Sequence, residues 1–155
     1  MIKIKEATTH HAVDIARLTG ALLSEIMEVT NSKAFEYDEE ETIERIKDLM
    51  HKGIYSIFVA ISHEKVIGFV AIAKSYALYA QGEFGTITEF YVLPDYRSLG
   101  VGKMLLEKAK TFAIAQNWNS LEVTTPPLPF FQRSLEFYEE NGFKIRGGRK
   151  LRWRG

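Results

Sequence analysis

The period of the chain changes abruptly at Tyr96-Arg97-Ser98-Leu99-Gly100-Val101-Gly102-Lys103. An apolar strand pattern, Ile87-Thr88-Glu89-Phe90-Tyr91-Val92-Leu93-Pro94, runs into this turn. An amphipathic helix pattern runs out of it, with Val101, Leu105, Ala109 and Phe112 on one stripe. Two glycines one residue apart at the mouth of a helix let the backbone approach a ligand and aim free N–H groups outward. Those amides and the positive end of the helix dipole suit a phosphate or pyrophosphate, and Arg97 and Lys103 add two cations beside them. The plainer reading is a tight strand-to-helix turn with both cations solvated. A Walker P-loop is excluded, because Arg97 stands where its first glycine belongs and Met104 follows Lys103 in place of Ser or Thr. A dinucleotide fingerprint fits Gly100 and Gly102 but meets Leu105 at the third glycine. With Glu122 about 20 residues on as a ribose-binding acid, it remains a rival.

The pattern Arg-x-x-Gly-x-Gly at the end of that strand resembles the acetyl-CoA site of the GNAT superfamily of N-acetyltransferases. Leu135-Glu136-Phe137-Tyr138-Glu139-Glu140-Asn141-Gly142-Phe143 is similar to the family's late helix, with its Phe-Tyr pair and closing Gly-Phe. The two stretches lie about 35 residues apart, with a helix and a strand between them, and cover the C-terminal half; the first eighty residues match only in the order of their elements. The resemblance implies that the coenzyme phosphates lie on Arg97, Ser98, Leu99, Gly100, Val101, Gly102 and Lys103. It also implies that backbone groups of Phe90, Tyr91 and Val92 receive the pantetheine arm and the oxyanion. In the family's pattern Glu89 is the general base and Tyr138 the acid that protonates the coenzyme thiolate. One position departs: many relatives carry Asn seven residues before the tyrosine, and here it is Phe131.

An amine that attacks an acetyl thioester must be neutral, the carbonyl must tolerate an oxyanion and the departing thiolate needs a proton, so a base, N–H donors and an acid are required. Strand alternation puts Glu89 and Tyr91 on the face opposite Phe90 and Val92. A carboxylate in an apolar strand is costly if buried unpaired, which favours a role for Glu89; a paired or edge-solvated acid is the alternative. The tyrosine reference pKa near 10 lies close to that of an alkyl thiol, so proton transfer from Tyr138 is nearly balanced. The alternative for Tyr138 is a core aromatic beside Phe137.

At 155 residues the chain suits one domain, 1–155, with a proper core. Its 20 basic and 20 acidic residues give no general pull toward nucleic acid or anionic membrane. The absence of cysteine excludes disulfides, thiolate metal sites and a cysteinyl-enzyme intermediate. His10, His11, His51 and His63 lack metal-ligand spacing and read as surface residues, so no metal is expected. The charged start Met1-Ile2-Lys3-Ile4-Lys5 and the lack of a long apolar run point to a cytoplasmic protein.

The order of patterns is an edge strand at Ile2–Lys5, a helix capped by Thr8 or Thr9 and weakened or bent at Gly20, and a loop from Thr30 to Tyr37. A second helix follows with the capping-box pair Asp38 and Glu41. Then come a hairpin, 54–61 and 66–73, with a bulge or close backbone contact at Gly68, and an apolar loop, Tyr76–Gly82, packed under the sheet. The strand from about Phe84 to Leu93, the helix after the glycines, a strand at Trp118–Thr125, a helix at Phe130–Asn141 and a basic last strand or hairpin complete it. The expected fold is α/β (α+β), a mixed sheet of about six to seven strands with helices on both faces. The acidic run Glu36–Glu44 suits a helix dipole, and in the resembling family this region often borders the acceptor, which favours a cationic primary amine on a small molecule or peptide. The basic tail leaves room for a homodimer contact. A non-catalytic acyl-CoA-binding domain is the other function compatible with the turn; it needs neither Glu89 nor Tyr138.

Overall fold

His63 and Glu64 both take left-handed backbone angles, φ 49° and 64°, and two such residues in succession make a hairpin turn whose twist matches its strands. In the computed structural model, which describes residues Met1–Gly155, they join β2 (Tyr55–Ser62) to β3 (Lys65–Ala77). With β1 (Ile2–Glu6), β4 (Gly82–Val92) and β5 (Leu121–Val123) these form one sheet in the order β1-β2-β3-β4-β5. All neighbours are antiparallel except β4 and β5, which the crossover through α3 (Val101–Ala115) makes parallel. By its contacts the chain falls into two units, Met1–Thr124 and Thr125–Gly155.

Alternation along the strands divides the first unit into two packed faces. Ile57 and Val59 of β2, Phe69 and Ala71 of β3 and Tyr91 of β4 are buried with Ile15, Ala16 and Leu18 of α1 (Ala12–Thr30) and Ile46 of α2 (Glu39–His51). Phe58, one residue out of that phase, meets Phe112 of α3 edge to face at 5.4 Å. The mixed sheet with helices on both faces is therefore as expected. Asp38 caps α2 by accepting from the Glu41 N–H at 2.9 Å. The helix α1 runs through Gly20, and the ring of Tyr37 occupies the space a Cβ would need, its Cε2 2.8 Å from that position, while its hydroxyl donates to the Ala16 carbonyl. No helix is long and apolar enough to cross a membrane.

The strand count is five rather than six to seven. The tail beyond Phe143 forms no strand: Ile145, Leu151 and Trp153 are 70%, 92% and 87% exposed, and Gly147 turns at φ 75°. Six like charges with three apolar side chains between them lack the cross-strand partners that stabilise a ladder. Strand β5 is also shorter than expected, because Trp118 is an anchor and not a ladder residue. Its N–H closes the end of α3 on the Ala113 carbonyl (3.0 Å), its ring meets Phe112 at 5.5 Å and its Nε1 donates to Glu83 at 2.6 Å. Gly85 leaves the space for that indole; a Cβ there would stand 2.6 Å from it.

In the second unit α4 (Gln132–Glu140) closes as the Asn141-Gly142 pair predicts. Gly142 turns at φ 92°, its N–H reaches the Glu139 carbonyl at 3.2 Å and the Phe143 N–H reaches the Tyr138 carbonyl at 3.0 Å. This is the Schellman arrangement, completed by the apolar contact of Phe143 with Tyr138 at 5.5 Å.

Candidate active site

Strand β4 carries the candidate base, and two irregularities shape its surroundings. It pairs with β5 only from Gly85 to Ile87, so no strand of the sheet lies beside 88–92 on that edge. Opposite β3 its register slips between Ala71, which faces Glu89, and Ile72, which faces Ile87, leaving Thr88 as the extra residue of a bulge. A regular strand would aim Thr88 and Glu89 to opposite faces; the bulge lets Thr88 Oγ1 donate to Glu89 Oε1 at 2.6 Å. The Tyr55 hydroxyl stands near this carboxylate and favours its charged form. Glu89 is half-buried, on the same face as Tyr91 as alternation requires, and burial raises its pKa above the usual carboxylate value while the Thr88 and Tyr55 hydroxyls partly oppose the rise.

The glycine turn is built as the sequence suggests, apart from its arginine. A single 3₁₀ turn, Pro94–Tyr96, leads from β4; Ser98 and Gly100 take φ 66° and 81°, and Gly100 is the N-cap of α3. The first helical hydrogen bond runs from the Met104 N–H to the Gly100 carbonyl at 3.0 Å. The N–H groups of Val101, Gly102 and Lys103 therefore precede any helical acceptor, and Lys103 and Leu99 are exposed beside them. Arg97 does not join this mouth as a free cation. Its Nε donates to the Val92 carbonyl at 2.9 Å, its two terminal nitrogens fork onto Glu25 of α1 at 2.9 and 3.3 Å, and its guanidinium lies 5.2 Å from the centre of the Tyr91 ring. Tyr91 completes the cluster with its hydroxyl 3.4 Å from Glu25 Oε1. In the ligand-free chain Arg97 thus clamps the end of β4 to α1.

A model of the acetyltransferase (GNAT) family matches residues 23–143. The chain belongs to that family. Among relatives, an uncharacterized N-acetyltransferase of Archaeoglobus fulgidus is 32% identical over 72 residues, 46% of this chain and 49% of that protein, so the match spans about half the relative's length. Two crystal structures share the fold over nearly the whole chain. A predicted acetyltransferase with acetyl-CoA from Clostridium acetobutylicum has a TM-score of 0.81 at 16% identity, covering 98% of this chain and 96% of its own. A transcriptional regulator from Bacillus halodurans has a TM-score of 0.79 at 22% identity, covering 99% and 100%.

The remaining expected residues are spread over this GNAT fold. Tyr138 lies in the second unit, buried, with ring contacts to Phe137 and Phe143 at 5.5 Å, and burial raises its phenol well above the ordinary value. The near balance with a thiol drawn from the reference value therefore does not hold in the ligand-free protein. Glu122, the acid a dinucleotide site would need, pairs opposite Thr86 and accepts from Tyr79 at 2.9 Å. It stands six residues back along β4 from Val92, roughly 20 Å at the rise of a strand, so it does not serve the glycine turn. The loop expected under the sheet is an exposed hairpin tip instead, with Tyr76, Leu78 and Tyr79 facing solvent. The acidic side chains Glu40, Glu41, Glu44 and Asp48 line the outward side of α2. His11 closes its turn at the surface, its Nδ1 accepting from the Thr8 N–H at 3.0 Å. Sequence reasoning missed Tyr55, Thr88 and Glu25. Alternation could have placed Tyr55 on the Glu89 face, but the bulge and the contact of Arg97 with Glu25, 72 positions away, leave no trace in local pattern.

Proposed function

We propose that this protein is an acetyl-CoA-dependent N-acetyltransferase that moves an acetyl group to a primary amine of a small molecule or peptide. The observation that carries the reading is Glu89, a half-buried carboxylate held by uncharged donors where β4 has parted from β5. A raised carboxyl pKa makes it a stronger base near working pH. The acetyl-CoA of the Clostridium structure belongs to that protein, and its fold, shared here, favours the same donor. In this reading the amide groups of Val101, Gly102 and Lys103 with Lys103 Nζ hold the pyrophosphate, the turn Ser98-Leu99-Gly100 brings the backbone to it, and Arg97 fixes the turn's entry. The backbone of Phe90, Tyr91 and Val92 carries the pantetheine arm, as the family resemblance implies.

The amine nitrogen attacks the thioester carbonyl carbon, the C–N bond forms and the C–S bond breaks. Glu89, directly or through water, takes the proton the amine loses, and the thiolate gains one from Tyr138, whose assignment rests on the Phe-Tyr…Gly-Phe motif. Acidic α2 favours a cationic acceptor. Calorimetry with acetyl-CoA, CoA, NAD and ATP, followed by CoA release over polyamines, amino acids, aminoglycosides and peptides, tests all of this. Acetyl-CoA is expected to bind and at least one amine to be acetylated. Binding without turnover over the whole panel would instead support a non-catalytic acyl-CoA-binding domain, and preference for NAD would overturn the donor.

A further inference from the structure

The registers place Tyr55 opposite Ala73 and Glu89 opposite Ala71, so the two large polar side chains share one face of the sheet with β3 between them. Two strand spacings and a two-residue offset separate their backbones by roughly 12 Å, a gap a tyrosine and a glutamate bridge together. The crossing is open because β3 offers only the methyl groups of Ala71 and Ala73 at those positions. A larger residue at either would stand in the path of the ring. Tyr55 is part of the partly buried layer around the main core, so its ring is held by packing and its hydroxyl delivered to one spot. That spot is beside Glu89, where the hydroxyl favours the charged carboxylate, while Thr88 donates to it from the strand itself at 2.6 Å.

We infer that Tyr55 is a positioning residue for Glu89, holding the carboxylate from across the sheet while the Thr88 bulge holds it along the strand. The inference rests on the reading of Glu89 as the base. Two donors from different strands fix the carboxylate plane more tightly than one, which leaves its remaining lone pairs directed for accepting a proton. Burial disfavours the charged carboxylate, and the hydroxyls of Thr88 and Tyr55 are the groups that favour it. Tyr91, next along the same face, is engaged with Glu25 and Arg97 instead. When Glu89 gains a proton it can donate to Thr88 Oγ1, whose own proton turns to the Ala71 carbonyl at 3.5 Å, so both protonation states keep partners.

The test is the ¹³C NMR titration of the glutamate side-chain carbons in the full chain, with Glu89→Gln identifying the Glu89 signal and Tyr55→Phe keeping the ring while removing the hydroxyl. Removing a donor to the ionised form moves the Glu89 midpoint to higher pH. In an amine that turns over, the acid limb of kcat/KM moves the same way. Turnover at neutral pH falls roughly tenfold, recovers as pH rises and leaves KM for acetyl-CoA unchanged. In a Glu89→Gln background Tyr55→Phe has no further effect. Ala73→Val, which obstructs the ring and leaves the hydroxyl intact, reproduces the shift. An unchanged Glu89 midpoint in Tyr55→Phe, or an equal loss at every pH and in the Glu89→Gln background, overturns the inference while the transferase reading stands. Wild-type turnover in Glu89→Gln removes the base, and the inference with it.

Discussion

Glu89 and Glu25 stand close to the same stretch of β4 and are held by opposite means. Glu89 loses solvation, so its charged form is disfavoured and its affinity for a proton rises, although the Thr88 hydroxyl donates to it and that of Tyr55 stands near. Glu25 faces a guanidinium in a two-pronged pair that also grips the Val92 carbonyl and stacks on Tyr91. A guanidinium fork holds a carboxylate in place by two charge-assisted hydrogen bonds. Burial is what raises Glu89, against the pull of its neighbouring hydroxyls, whereas Glu25 is engaged by a charge. Neutral donors leave an acid free to change protonation state, and a guanidinium turns it into a tie between elements.

The sharpest test of that contrast is Glu89→Gln. Turnover at pH 7 is expected to fall 10²–10⁴-fold, the range general acid–base catalysis supplies, with partial recovery at higher pH as more amine becomes neutral. Stability should move the other way. A carboxyl whose folded pKa is raised binds its proton more tightly folded than unfolded, so it costs stability as pH rises from the unfolded value through the folded one. The amide carries no such charge, and its melting temperature at neutral pH should equal or exceed that of the wild type. A lower melting temperature with intact turnover would make Glu89 a structural acid like Glu25. Next in size, Tyr138→Phe keeps the ring among Phe137 and Phe143 but removes the proton donor. Turnover is expected to drop roughly tenfold to a hundredfold, less than for Glu89, because burial makes this phenol a weaker acid. Wild-type turnover from pH 6 to 9 would leave water to protonate the thiolate.

Gly102→Val addresses the turn itself. A branched side chain among the first amides of α3 is expected to weaken acetyl-CoA binding about tenfold or more in calorimetry, since the anion must come within hydrogen-bond range of the backbone. Unchanged affinity would remove the turn from the site. The smallest effect belongs to Glu25→Gln. The pair is partly exposed, 41% on the arginine and 29% on the glutamate, so its loss should cost roughly 1 kcal/mol or less in denaturant unfolding. If the amides and Lys103 carry the phosphates, acetyl-CoA affinity changes no more than threefold. A tenfold gain on freeing Arg97 would return that residue to the list of anion ligands.

What could be read without coordinates was whatever depends on neighbours in sequence. The glycine turn that opens α3, the Asp38–Glu41 cap, the hairpin at His63-Glu64 and the Asn141-Gly142 closure are set by a few adjacent residues, and each is present. Gly68 fulfils both of its expectations: Ile67 is the extra residue between two β2 partners, and a Cβ on Gly68 would stand 2.9 Å from the Tyr91 carbonyl. Whatever depends on register was not legible. A one-residue slip at Thr88 decides what touches Glu89, and nothing in an alternating apolar strand marks where a slip occurs. The pairing of Arg97 with Glu25 was hidden because the partner lies on another element. The tail was read as a strand because alternation of charge and apolar side chain is necessary for an edge strand but does not supply the neighbour to pair with.

Gly20 and Tyr37 bear on how the molecule moves. At an ordinary position inside a helix, replacing glycine with alanine adds about 1 kcal/mol of stability. Here the new methyl would lever Tyr37 away and break its hydroxyl from the Ala16 carbonyl, the tie that fastens the mostly exposed segment 31–38 to α1. Without that tie the segment would open on its own while the sheet stays shut, exposing its amides to solvent exchange and its backbone to proteases well below the energy of global unfolding. One absent side chain thus sets the local lifetime of the link between α1 and α2, and a change that strengthens the helix would shorten it.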